Sequence, residues 1–154
     1  MENKIKYAHT NLIAKDWEAL SKFYIDVFDC RPAYPKRNLS GPWLDKLTLI
    51  DKARIQGIHL YLPGYEDGPT LEIFEYSPTN WDDQQGLNAL GFRHIAFQVD
   101  NVELILDKVI QCGGKLFGEV QRKKYPELNS LLTITYVKDP EDNFVELQNW
   151  CKCI

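Results

Sequence analysis

The chain has 154 residues and a formal net charge of -4, with 44% hydrophobic and 26% charged residues. That is enough apolar material for one domain or two small fused modules, and too acidic a balance for a broad grip on nucleic acid or on an anionic membrane. No apolar run approaches the ~18 residues of a membrane span, and the opening Met-Glu-Asn-Lys-Ile-Lys has no signal-peptide core. A cytoplasmic protein acting on a small molecule is therefore expected, with Cys30, Cys112, Cys151 and Cys153 as reduced thiols.

Tyr7 to Ala14 reads as a strand with His9 and Asn11 on one face and Ala8, Thr10 and Leu12 on the other. Asp16 is a plausible N-cap for an amphipathic helix to Phe28, whose Trp17, Leu20, Phe23, Tyr24, Val27 and Phe28 are expected in the core. Residues 29–42, rich in Pro and cations, read as a surface connection whose Arg31, Lys36 and Arg37 can steer an anionic substrate. Strands are expected over Trp43 to Ile50, Ile55 to Leu62 and Thr70 to Tyr76, with a turn over residues 63–69. His59 has no counterpart later in the chain and is read as a surface or edge residue. On the last strand Glu72, Phe74 and Tyr76 share a face, opposite Leu71 and Ile73.

Residues 77–90 are polar and turn-rich and read as a linker. Gly91 to Val99 is then a strand with His94, Ala96 and Gln98 on one face and Ile95, Phe97 and Val99 on the other. Asp100 and Glu103 suggest a capping box for a helix through Val109 and Ile110 that stops at Cys112-Gly113-Gly114. Strands follow over Lys115 to Val120, Ser130 to Val137 and Phe144 to Asn149. Between the first two lie the cations Arg122, Lys123 and Lys124. Asp139 to Asn143 forms the turn before the last strand, where Glu146 and Gln148 lie opposite Val145 and Leu147, and the tail after Trp150 is expected to be loosely held. The order βαβββ thus occurs twice, at 5–76 and 91–150, an α+β fold of two modules forming one domain overall.

Each module offers one histidine on its first strand and one glutamate on its last. Two neutral imidazoles and two carboxylates balance a divalent cation, and such a set suits Zn, Ni, Co, Fe or Mn. His9, Glu72, His94 and Glu146 are therefore the expected ligands. A substrate oxygen on that metal would be polarised, and a glutamate that loosens could take a proton from the neighbouring carbon. Asn11, Gln98 and Gln148 are candidates for outer hydrogen bonds, and Phe74 and Tyr76 for pocket walls.

At these residues the chain resembles the vicinal oxygen chelate superfamily, the glyoxalase/bleomycin-resistance/dioxygenase fold. The carriers are His9 in Ala-His-Thr-Asn, the helix with Phe23-Tyr24 and Val27-Phe28, Leu71-Glu72-Ile73, Gly91 to Phe97, Gly113-Gly114, Asp139-Pro140 and Val145-Glu146-Leu147. The resemblance implies paired modules, each curling around half of a cup, with the metal held within one chain or across a homodimer. The order His, Glu, His, Glu is most similar to glyoxalase I, lactoylglutathione lyase. It implies Glu72 and Glu146 as candidate bases moving a proton between adjacent carbons of a hemithioacetal. Methylmalonyl-CoA epimerases commonly have glutamine where this chain has Glu72. A non-catalytic drug- or metabolite-binding protein is the alternative, and an Fe-dependent extradiol-type dioxygenase, which leaves that position without a ligand, is a third. The chain departs from the usual Asp-Pro-x-Gly turn with Asp139-Pro140-Glu141-Asp142, and no glutathione-binding set is evident; Arg37 and Arg122-Lys123-Lys124 are the candidate anion contacts.

Overall fold

The computed structural model describes residues 4–80 and 86–152, in two units, Met1–Trp81 and Asp82–Ile154. The expected linker falls partly on residues 81–85, outside the described residues, as do the first three residues and Cys153.

In the first unit, β1 (His9–Ile13), α1 (Trp17–Phe28), β2 (Arg31–Ser40), α2 (Pro42–Thr48), β3 (Arg54–Tyr61) and β4 (Thr70–Ser77) build a sheet in the order β1-β4-β3-β2. The second unit repeats the plan with β5 (His94–Gln98), α3 (Val102–Gln111), β6 (Lys115–Tyr125), β7 (Ser130–Lys138) and β8 (Phe144–Lys152), in the order β5-β8-β7-β6. In each sheet the first strand runs parallel to the last and the other pairings are antiparallel. This is an α+β architecture of two four-stranded mixed sheets. Among the described residues no helix is long and apolar enough to cross a membrane.

Helix α1 starts where the Asp16 carboxylate accepts the Ala19 N–H at 2.9 Å, and stops at Asp29 in the left-handed conformation. Its buried Leu20, Phe23, Tyr24, Val27 and Phe28 serve the sheet face of Ile58, Leu60, Leu71 and Ile73. Each of these large side chains contributes about 1.5–3 kcal/mol relative to exposure. With that face covered, the other face of β1, β4 and β3 is left to carry His9, Glu72 and His59. The helix α3 is capped by Asn101, whose side chain accepts the Leu104 N–H, rather than by Asp100.

Four segments differ from what the sequence predicts. Residues 29–42 are not a connection: β2 occupies Arg31–Ser40. It is an edge strand, where Pro and Lys are tolerated because one side of the backbone has no ladder to complete. The stretch read as a strand over Trp43 to Ile50 is instead α2, opened by Gly41-Pro42, with Pro in the first turn where its missing N–H costs nothing. Leu44 of α2 packs with Ala53, Ile55 and Phe74. In the second sheet the edge strand β6 likewise runs on to Tyr125 through cations that mask its alternation, and β8 continues through the expected tail to Lys152.

Cys30 sits at the end of α1, buried, and burial with the adjacent Asp29 carboxylate pushes its thiol up to about 12. Brief alkylation of the native protein at mildly alkaline pH should modify the exposed Cys112 and Cys151 and leave Cys30 intact until the chain is unfolded. Peptide mapping that finds Cys30 labelled as fast as Cys112 would contradict this packing.

Candidate metal centre

The antiparallel hairpin of β3 and β4 places His59 opposite Glu72, and the parallel pairing of β1 with β4 places Asn11 beside Glu72 and His9 beside Thr70. Paired residues share a sheet face, so these side chains converge. His9 Nε2 lies 3.4 Å from Glu72 Oε2, and His59 Nε2 lies 2.9 Å from Glu72 Oε1. Asn11 Nδ2 donates to Glu72 Oε2 at 3.3 Å. Ligand atoms of His9, His59 and Glu72 all lie within 4.8 Å of one another. The Glu72 side chain is only 13% exposed, so both its oxygens depend on these partners rather than on water.

The His59 ring is fixed from three sides. Its Nδ1 is 3.0 Å from Thr70 Oγ1, and its ring meets those of His9 and Phe74 edge-on at 5.7 and 5.6 Å. Burial holds the His59 imidazole below the usual histidine range. The Glu72 carboxylate opposes that shift, and Arg37 and then His9 add to it. A neutral imidazole has one N–H to donate and one lone pair to accept, which suits its Glu72 and Thr70 partners. His59 is thus no surface residue, and it joins the centre from a strand that the sequence reading left out of the site.

The second unit repeats the pair. His94 Nε2 lies 3.4 Å from Glu146 Oε2, and the glutamate is 12% exposed. Tyr136 on β7 stands opposite Glu146, as His59 stands opposite Glu72. It meets the His94 ring edge-on at 5.3 Å. Burial, then the Glu146 carboxylate beside it, raise the Tyr136 phenol above its ordinary value, so it stays a donor.

The remaining candidates divide. Phe74 and Tyr76 lie on the Glu72 face. Tyr76 borders an apolar cavity of about 650 Å³ with Ile13, Thr48, Ile50, Pro78 and Thr79. Burial, followed by the Glu72 charge, raises the Tyr76 phenol. Gln148 is taken up by Trp150, whose Nε1 donates to its Oε1 at 2.8 Å, and Gln98 is exposed. Of the cations on β2, Arg31 donates to the carbonyls of Tyr65 and Glu66, and Lys36 pairs with Glu18 over the Trp17 ring. Arg37, which bonds the Pro35 carbonyl, is the one whose charge reaches His59. In the second unit Arg122 pairs with Glu103 and Lys123 lies over Tyr125.

The cluster of His9, His59 and Glu72 offers imidazole nitrogen and carboxylate oxygen with no thiolate, donors that fit a divalent first-row cation. The family model described as Glyoxalase/Bleomycin resistance protein/Dioxygenase superfamily matches residues 6–147. No curated protein matches the chain. Among solved structures, a glyoxalase family protein from Bacillus cereus superposes with a TM-score of 0.76 at 17% identity, covering 97% of this chain and 95% of that one. A glyoxalase/bleomycin resistance protein/dioxygenase family enzyme from Burkholderia phytofirmans PsJN gives 0.60 at 16%, covering 94% and 98%. A mutant of the fosfomycin resistance protein FosX from Listeria monocytogenes, complexed with Mn(II) and 1S,2S-dihydroxypropylphosphonic acid, gives 0.53 at 17%, covering 92% and 89%. At these identities the likenesses establish the fold.

Proposed function

The chain belongs to the glyoxalase/bleomycin resistance protein/dioxygenase superfamily, and on that footing we propose that it is a metal-dependent lyase or isomerase of the glyoxalase type. Its ligands are His9, Glu72, His94 and Glu146. One observation carries the reading: each unit sets a first-strand imidazole 3.4 Å from a last-strand carboxylate, at matching positions of a repeated module. The FosX relative, crystallised with Mn(II), supports a divalent metal in this fold.

Bound there, a divalent cation would supply a Lewis acid to a substrate oxygen. The chain's own contribution is to hold and move a proton. Glu72 and Glu146 are the bases, each able to accept a proton from a carbon beside that oxygen and to return it to the adjacent carbon. Low exposure of both carboxylates keeps competing water away from the transfer. Arg37 offers a cation to an acidic part of the substrate.

Protein purified without chelator should carry stoichiometric Zn, Ni, Co, Fe or Mn. It should convert the methylglyoxal–glutathione hemithioacetal to lactoylglutathione, or exchange a carbon-bound proton of a related hydroxy-carbonyl compound with D₂O. Chelation should abolish both. Absence of bound metal would remove the reading; bound metal without either reaction would remove the lyase or isomerase assignment.

The apolar cavity beside Tyr76 favours a second reading, the binding of a drug or metabolite without turnover. A chelator-treated protein that keeps full affinity for its ligand would select it.

A further inference from the structure

We infer that the third-strand residue facing each glutamate, His59 for Glu72 and Tyr136 for Glu146, is a positioning residue that aims the carboxylate at the metal. This rests on reading the site as a metal centre. The argument begins with register. His59 pairs with Glu72 and Tyr136 with Glu146 in the two hairpins. The irregularities in the neighbouring edge strands fall in step with them. On one side the ladder shifts between Ala33, opposite His59, and Arg37; on the other it shifts between Phe117, opposite Tyr136, and Gln121. The two residues therefore occupy one structural position, filled in two ways.

What a histidine and a tyrosine share at that position identifies its work. Both are flat rings standing edge-on to the first-strand histidine, at 5.7 and 5.3 Å between centroids. Both end in a group that can donate a hydrogen bond to a carboxylate. Imidazole and phenol differ as metal ligands but are alike as hydrogen-bond donors, so donation to the carboxylate is the property the two share. In the first unit the division of labour is explicit. Glu72 Oε1 is held by His59, while Oε2 faces His9 and Asn11. Holding one oxygen fixes the plane of the carboxylate and the direction of the other. Thr70, bonded to His59 Nδ1, anchors the holder in turn. Outer partners of this kind typically govern metal affinity by about 10–100-fold.

The test is metal affinity, measured on the full chain by competition with a chromophoric zinc chelator. Tyr136→Phe removes only a hydroxyl, and His59→Leu removes both ring nitrogens. Each is expected to weaken Zn²⁺ binding by about 10–100-fold. His59→Gln, whose amide can still donate to Glu72, should restore most of the loss, which a purely packing role would not explain. His9→Ala serves as the reference for losing a ligand outright. Wild-type affinity in Tyr136→Phe would overturn the inference. So would a loss in His59→Leu as deep as in His9→Ala, since that would make His59 a ligand. A wild-type chain that binds no Zn²⁺ removes the metal reading and this inference together, whereas tight wild-type binding with indifferent variants removes this inference alone.

Discussion

Glu72→Gln is expected to abolish stoichiometric metal binding while leaving the fold intact. Glutamine keeps the shape of glutamate, so the contacts with Asn11 and His59 can be re-formed in part. What disappears is the negative charge that two imidazoles and a divalent cation require. Glu72 is central in its sheet and only 13% exposed, so water cannot take its place. The loss in affinity should exceed the roughly 10–100-fold seen when only an outer partner is removed, and turnover should fall with it. Glu146→Gln should do the same. Glu75 lies on the same strand as Glu72 but on the opposite face, so Glu75→Gln is the control and should bind metal normally. Elemental analysis of the purified variants, with circular dichroism to confirm folding, decides the matter. A folded Glu72→Gln protein that retains its metal would show that this carboxylate is not a ligand.

Gly57→Ala should be the most damaging small substitution in the first unit. Gly57 lies on β3 two residues before His59, opposite Phe74. A Cβ there would lie 2.1 Å from the Ile73 carbonyl oxygen and 2.6 Å from Phe74 Cδ1, and the backbone φ is +155°. The obstruction is backbone, which cannot swing aside as a side chain can. Overpacking of this kind costs about 3 kcal/mol, which for a chain of this size lowers the melting temperature by roughly 6–12 °C. Phe74 supports the His59 ring at 5.6 Å, so the displacement should reach the metal centre as well. Gly64→Ala is the useful contrast: its φ is +84°, yet nothing lies within 4 Å of the added methyl, so only a conformational cost of about 1 kcal/mol is expected. Thermal denaturation of the two variants side by side checks both numbers, and equal melting temperatures would refute the packing described around Gly57.

The parts of the fold that were legible in the sequence are those buried on one face. In Thr70–Ser77 the buried Leu71 and Ile73 alternate with Glu72, and in His94–Gln98 the buried Phe97 alternates with His94, so the period of two survives. The edge strand β2 and the second half of β6 were not legible, because an edge stretch rich in Pro, Lys or Arg reads as a loop. Trp43–Leu44 looked like a strand because seven helical residues are too few to show a helical period, although Gly41-Pro42 was a start signal.

The same contrast holds at the site. His9 with Glu72 and His94 with Glu146 were found through the repeat, and each pair is in contact within its unit. His59 escapes the repeat because no histidine answers to it in the second half, where the position is filled by Tyr136. Repeat logic searches for identity, while the structure conserves only a donor facing a carboxylate. A signal was present in the turns. Counting outwards from the middle of the 63–69 turn brings His59 opposite Glu72 or its neighbour, and counting from Glu141 brings Tyr136 opposite Glu146. Hairpin symmetry, applied to each module by itself, sets each residue beside the glutamate of its own unit.

Anomalous diffraction from a crystal of the protein purified without chelator is the most direct measurement. Recorded at the absorption edge of the bound element, it should give a peak within coordination distance of His9, Glu72, His94 and Glu146, whichever copies of the chain supply them. A peak held by His9, His59 and Glu72 with His94 and Glu146 elsewhere, or no peak at these residues, would contradict the account.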